Sequence, residues 1–391
     1  MYAYDESYKA MIGTMSQPGE RATENTTLDD DVVTEILLRL PSASVFRSRA
    51  VCKAWHRITT DPSFLAAHAD RRPAELLVVS RGEPSFLETI PLSLQVDDLT
   101  RRRSQLHHPE DCEIGVLLGC CDGLVLFQKS PENLLSNDVF LCNPVTRQWA
   151  RLDVTPPSCR GLARLCCFYR HCPSGEHRLL VLANEPEPGL AAHYVYTLAA
   201  AATSQPEPPR RLGLVADGVV VDLFTNFIHH YADHRGKIHW TVHPLASSTE
   251  KILAFDTVSE DFRLISRPPW PRDHYHDEDL CLMELDGRLA VTAPELHGDS
   301  MELWVLVDYD DDQSWSRRFR IVLPPLFYPH WWTGTGVPNV VFVASYTHNF
   351  KVLYHLTEKR IVNQIEYING TWGYCYLFKD SLVPHSSLNP Y

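Results

Sequence analysis

From Pro73 onward, short runs rich in Val, Leu and Phe alternate with tight-turn dipeptides, and helical periodicity is scarce. Asp122-Gly123, Asp217-Gly218, Arg235-Gly236, Asp286-Gly287 and Asn369-Gly370 each stand at such a junction. A two-residue hairpin turn needs positive φ at its central positions, which Asp-Gly and Asn-Gly adopt with little strain. Residues 116–121 are therefore predicted to pair with 124–128, and 282–285 with 288–292. A chain punctuated in this way folds as antiparallel sheet, so residues 73–381 are predicted to be one large all-β unit.

A weak repeat lies beneath the turns. Gly123 precedes Trp149 by 26 residues, Gly236 precedes Phe262 by 26, and Gly287 precedes Trp315 by 28. A second register recurs: Cys142-Asn143, Phe255-Asp256 and Tyr354-His355 each lie seven residues before Trp149, Phe262 and Ile361. A paired β-sandwich would also give regular hairpins. The spacing of 51 between Gly236 and Gly287 instead matches kelch-type propeller blades, four strands in about 50 residues, and leaves room for about six blades. Residues 199–211, Ala-rich and then Pro- and Arg-rich, read as an inserted surface loop.

The first 72 residues follow different rules. Residues 1–26 are polar and aperiodic, a predicted disordered leader. Val33, Ile36, Leu37 and Leu40 then recur at helical spacing. Asp29, Asp30 and Asp31 supply a cap and favourable charge at the helix start, and Leu40-Pro41 ends it. Ser42 or Ser44 opens a further helical stretch with Phe46, Ala50, Ala54 and Ile58 four apart. Asp61-Pro62 signals another helix. The predicted organisation is a leader (1–26), a helical module (27–72), the β unit (73–381) and a tail (382–391): an α+β multidomain chain.

Charge and cysteine usage exclude several classes. The net charge of −13 lacks the basic face that phosphate contacts require, so nucleic acid is not an expected partner. No run approaches the roughly 20 apolar residues of a membrane helix, and no basic-then-apolar leader opens the chain, so no membrane partner is expected. Eleven cysteines, an odd count without an export signal, point to reduced thiols in the cytosol or nucleus. Residues 271–312 hold thirteen carboxylates against Arg272 and Arg288. Such a concentration is either a set of solvated turns or an acidic patch for a basic partner.

Residues 28–64 (LDDDVVTEILLRLPSASVFRSRAVCKAWHRITTDPSF) resemble an F-box. The match runs through Leu28, Asp31, Ile36, Leu37, Arg39, Leu40, Pro41, Val45, Arg47, Arg49, Val51, Cys52, Lys53, Trp55, Asp61, Pro62 and Phe64. Asp29 stands where the family usually has proline. The β region resembles the F-box-associated domains of plant proteins, through Gly119-Cys120-Cys121-Asp122-Gly123-Leu124 and Asn143-Pro144-Val145-Thr146-Arg147-Gln148-Trp149. The resemblance implies a substrate receptor of a cullin-based (SCF) ubiquitin ligase, with a Skp-type adaptor and a cullin scaffold as partners. Its adaptor surface is expected at Leu28, Val32, Ile36, Leu37, Leu40, Pro41, Val45, Val51, Cys52 and Trp55. Trp55 and Ile36 are the residues of this set most open to an internal packing role instead.

No catalytic residues, metal or cofactor are expected. Cys166-Cys167 with His171-Cys172, His229-His230 with His234 and His239, and His274 with His276 are dense but lack zinc-site spacing. G-x-S-x-G, P-loop and HExxH motifs are missing. Asp222, Asp256 and Asp308 could converge in a propeller channel as a glycosidase pair would, although turn aspartates are the commoner explanation. For the target, exposed aromatics are the available signal: Trp270 and Tyr275, and Tyr328, Trp331 and Trp332, are placed in loops.

Overall fold

The computed structural model describes residues 29–80, 86–92, 104–106, 114–129, 139–154, 163–184, 191–198, 208–213, 232–241, 251–270, 280–294, 300–322, 329–345, 350–366, 376–383, 385 and 388–390. Four helices come first: α1 (Asp30–Arg39), α2 (Ser42–Ser48), α3 (Lys53–Thr60) and α4 (Pro62–Arg71). In α1 two apolar stripes run side by side. Val33 and Leu37, four residues apart, face inward and are buried, whereas Val32 and Ile36, also four apart, are 46% and 45% exposed.

The helix starts differ in part from the sequence reading. Asp29 makes no side-chain cap. It holds φ −57°, ψ 142°, a φ that proline itself would impose. Asp30 instead pairs with Arg57 of α3 at 2.5 Å. The stripe through Phe46, Ala50, Ala54 and Ile58 is cut in two, because Cys52 is extended (φ −160°) and its Sγ accepts the Trp55 N–H to open α3. Asp61 and Pro62 open α4 as the sequence implies, Asp61 Oδ1 accepting the Ser63 N–H at 2.8 Å.

The strands form a six-bladed β-propeller. Blade 1 begins with β1 (Glu75–Ser80), β2 (Phe86–Pro91) and β3 (Ser104–Leu106). Blade 2 holds β4 (Ile114–Cys121), β5 (Leu124–Lys129), β6 (Val139–Asn143) and β7 (Gln148–Leu152). Blade 3 holds β8 (Ala163–His171), β9 (Glu176–Asn184), β10 (Ala191–Thr197) and β11 (Arg210–Arg211). Arg210 and Arg211, read from sequence as loop, thus form the edge strand of a blade. Blade 4 holds β12 (Ala232–His234), β13 (Lys237–Thr241), β14 (Lys251–Asp256) and β15 (Phe262–Ser266). Blade 5 holds β16 (Cys281–Leu285), β17 (Arg288–Pro294), β18 (Ser300–Leu306) and β19 (Trp315–Val322). Blade 6 holds β20 (Pro329–Gly334), β21 (Val340–Ser345), β22 (Phe350–His355) and β23 (Arg360–Glu366).

The last two strands, β24 (Tyr376–Phe378) and β25 (Asn389–Pro390), return to the beginning of the ring. β24 pairs antiparallel with β1 and completes blade 1, while β25 adds a fifth strand to blade 2 beside β7. The ring therefore closes through the C-terminal segment, and the blades are left with only short edge strands.

Both repeat signals have a structural cause. Asp122-Gly123, Arg235-Gly236 and Asp286-Gly287 are the turns of β4–β5, β12–β13 and β16–β17, with positive φ at both residues of each. Asp217-Gly218 and Asn369-Gly370 lie outside the described residues. The seven-residue register is a cross-strand pair: Cys142 faces Trp149, Phe255 faces Phe262, and Tyr354 faces Ile361. Between the paired strands, Arg147, Glu260 and Lys359 occupy one equivalent left-handed position, φ 58°, 58° and 53°.

Candidate functional site

Val32, Ile36 and Val51, the last 63% exposed, are large apolar side chains facing solvent on the helical module, with exposed Pro41 and Cys52 and partly exposed Leu40 and Trp55. Burial splits the expected adaptor residues. Leu37 and Val45 are completely buried, packed with Val33, Leu38, Ile58 and Phe64. They hold the helices together and offer no surface, a correction to the sequence expectation that follows from the 3.6-residue period: Ile36 and Leu37 are neighbours in sequence but about 100° apart around the axis. Trp55 packs against that core, whereas Ile36 lies on the outer stripe. Leu28 lies outside the described residues. Exposed ion pairs brace the outer stripe: Arg71 on Glu35 at 3.2 Å and Arg57 on Asp30 join α4 and α3 to α1.

The helical module is fastened to the propeller by the C-terminal segment. Leu382, 2% exposed, enters the helical core together with Val145 from the β6–β7 turn. The Arg49 guanidinium donates to the Thr59 carbonyl at 3.0 Å and the Leu382 carbonyl at 3.4 Å. Arg72, just after α4, meets Asp380 at 2.9 Å with both side chains mostly buried. Asn143 is completely buried. Its Oδ1 accepts the Val145 and Thr146 N–H groups, and its Nδ2 donates to the Ser381 and Val383 carbonyls. Gly123 lies directly under Ser381, where a Cβ would come within 2.3 Å of the serine Cβ. Leu388 is then buried against blades 2 and 3. The two sequence motifs of blade 2 are thus the seat of this strap, in which Leu382 and Leu388 are buried.

Asp256 and Asp308, weighed from sequence as catalytic candidates, both serve turns of the fold. Asp256 Oδ1 accepts the Val258 and Ser259 N–H groups, and Asp256 also pairs with Lys237. Asp308 Oδ1 accepts the Asp310 N–H at 3.0 Å. Both are turn formers, and Asp222 lies outside the described residues. Three carboxylates of the acidic stretch are used within the fold: Asp312 accepts the Ser266 N–H of blade 4, Asp286 pairs with Arg318, and Glu302 with Arg317. One cavity of about 210 Å³, between the β16–β17 and β20–β21 turns, is smaller than the roughly 300–1,000 Å³ of small-molecule sites.

Of the sequence-dense histidines, His239 sits in blade 4 between the Ala232 carbonyl and the Tyr309 hydroxyl, and burial drives its pKa down to about 4. His229, His230, His274 and His276 lie outside the described residues. Cys167 is completely buried and its thiol is pushed well above its ordinary pKa by burial. Among the described residues, the group whose donor atoms come together is a different one: Cys121, Asp122 and His177. It joins the β4–β5 turn to β9, so no sequence spacing announces it.

The aromatic candidates are placed unevenly. Trp270 is partly buried, its ring edge-on to Trp304 with centroids 6.4 Å apart. Trp331 and Trp332 are on β20, paired with Ala344 and Val343, and not in a loop. Tyr275 and Tyr328 lie outside the described residues.

Comparison with known proteins agrees with both halves of the chain. Residues 26–66 match the F-box domain, and residues 75–372 match the F-box associated beta propeller domain. Arabidopsis thaliana F-box protein At5g49610 is 26% identical over 394 residues, covering 91% of this chain and 97% of that one. F-box protein CPR1 of the same plant is 24% identical over 321 residues, 76% of this chain and 74% of its own. The chain belongs to the F-box proteins that carry an F-box-associated β-propeller.

Proposed function

We propose that this protein is the substrate-recognition subunit of an SCF-type ubiquitin ligase. Its helical module docks on a Skp-type adaptor, and through it on a cullin scaffold, while the propeller captures a target protein. The observation that carries this reading is the exposure of Val32, Ile36 and Val51, large apolar side chains on a helical module whose core is already filled, in part by Val145 and Leu382. A four-helix unit of this size has little private core, and apolar side chains facing solvent beside a filled interior suit a partner's groove. Leu40, Pro41, Cys52 and Trp55 are the further adaptor candidates that keep exposed or partly exposed surface.

In this role the chain is not itself a catalyst. Transfer is accelerated by holding the target beside a charged conjugating enzyme, which raises effective concentration and requires no nucleophile here. The strap gives that role a physical basis, because a target bound on the propeller keeps a fixed position relative to the adaptor. Trp270, Trp331 and Trp332 are the aromatic candidates for the target contact.

Proximity labelling by the full chain, with and without proteasome inhibition, tests the reading. It is supported by a labelled protein that accumulates when the proteasome is blocked and when this chain is removed. A labelled set that contains adaptor but no protein stabilised by removal of the chain contradicts it.

A further inference from the structure

We propose that Cys121, Asp122 and His177 form a three-donor site for a zinc-like divalent cation at the junction of blades 2 and 3. The Cys121 Sγ, a carboxylate oxygen of Asp122 and a ring nitrogen of His177 all lie within 4.8 Å of one another. His177 Nε2 is 3.2 Å from Asp122 Oδ2. Zinc bonds of about 2.0–2.3 Å place tetrahedral donors roughly 3.5 Å apart, so closure requires about an ångström of side-chain movement. Asp122 has that freedom, since its side chain is 45% exposed.

The donor set selects the metal class. A thiolate with an imidazole and one carboxylate suits zinc, whereas magnesium and calcium favour oxygen ligands. The second ring nitrogen is already oriented, because His177 Nδ1 is 3.1 Å from His385 Nε2. A metal on Nε2 fixes the proton on Nδ1, which then donates to His385. Such outer partners set the ring orientation of a ligating histidine and raise its basicity. Arg170 lies 3.6 Å from the same Asp122 oxygen, but its side chain is 53% exposed and can turn to solvent. Binding converts the Cys121 thiol to thiolate and releases its proton, so affinity rises with pH.

The site has a structural consequence. Cys121 ends β4 and Asp122 opens the β4–β5 turn, His177 belongs to β9 of the next blade, and His385 belongs to the strap that carries Leu382 into the helical core. A bound cation joins all three, so metal occupancy and strap seating reinforce one another.

The test titrates the reduced, chelator-stripped full chain with cobalt(II) alone. One tight equivalent is expected, with the thiolate-to-cobalt charge-transfer band and the visible bands of a tetrahedral ion. Cys121→Ser removes the charge-transfer band. Asp122→Asn, which keeps the positive-φ turn because Asn tolerates it, weakens binding tenfold or more, and His385→Ala weakens it by roughly 10–100-fold as an outer-shell loss. Cys172→Ser leaves all of it unchanged. The proposal is overturned if cobalt gives no saturable tetrahedral spectrum. It is equally overturned if folded Asp122→Asn protein binds as wild type, or if Cys121→Ser keeps the charge-transfer band.

Discussion

Arg72 and Asp380 are 308 residues apart in sequence, yet the Arg72 Nε–H donates to Asp380 Oδ1 at 2.9 Å. The pair lies where the helical module meets the returning chain, next to Leu382 in the helical core. Both side chains are largely shielded, so removing one partner leaves the other poorly solvated, a costlier loss than breaking an exposed pair. Leu382→Ala removes a buried apolar side chain and should cost about 2–5 kcal/mol. We expect Leu382→Ala and Arg72→Ala each to lower the melting temperature. Each should also expose the segment between α4 and β1 to limited proteolysis, while the excised propeller retains its β-sheet circular dichroism.

Gly123 and Gly287 offer an internal control for the same junction. Both are turn glycines, φ +78° and +75°, but only Gly123 lies beneath another chain segment, and Gly287 has open space around its Cβ direction. An L-residue in the left-handed region costs roughly 1–2 kcal/mol. Gly287→Ala should show that cost alone. Gly123→Ala should show it plus the displacement of Ser381, and chemical denaturation measures the difference. The excess should vanish when the chain is ended after Lys379, because the clash leaves with the strap.

What the sequence discloses here, it discloses through local rules. A two-residue turn or a cross-strand pair seven residues apart involves only neighbours, so the hairpins and the Trp149, Phe262 and Ile361 register were readable and led to six blades. The strap was not readable, because Ser381, Leu382 and His385 find their partners 208 to 333 residues earlier. Their own composition is that of an ordinary tail. The blade 2 motif residues Gly123 and Asn143 were visible, but their purpose, seating the strap, required the closed ring. The division between Leu37 inside and Ile36 outside likewise depends on where α3 and α4 pack, which periodicity in α1 alone does not determine.

Glu260 ties blade 4 to blade 3. Its carboxylate, 5% exposed, accepts the Tyr169 hydroxyl at 2.6 Å and the Arg178 guanidinium at 2.8 Å, and it also pairs with Arg210. Removing one member of a buried charged network costs about 3–5 kcal/mol, since the remaining charges lose their compensation. Glu260→Ala should therefore be among the most destabilising substitutions in the propeller, measured by urea unfolding. Glu176→Ala, at an exposed acid that bonds the same Arg178 at 2.6 Å, should change stability by less than about 1 kcal/mol.

Three histidines make the fold sensitive to acid. Burial holds His193, His239 and His385 at a pKa of about 4, with His177 adding to the effect at His385. In the unfolded chain each titrates near 6.5. The folded state then binds fewer protons between these values, so stability is complete above about pH 6.5 and declines as pH falls toward 4. Asp122, held low chiefly by the hydrogen bond from His177, acts in a more acidic window, losing its contribution as pH falls through its lowered value. A melting-temperature profile should slope downward below pH 6.5, and His385→Gln should make that slope shallower without abolishing it.

Docking on a Skp-type adaptor is the claim on which the function rests, and binding of the purified full chain to purified adaptor tests it directly. The wild-type chain should form a one-to-one complex. Val32→Asp, Ile36→Asp and Val51→Asp together should weaken it by roughly thirtyfold or more, the about 2 kcal/mol of a single interface hot spot, with the melting temperature unchanged because all three side chains face solvent. No complex with the wild-type chain, or equal affinity for the triple variant, would contradict the account.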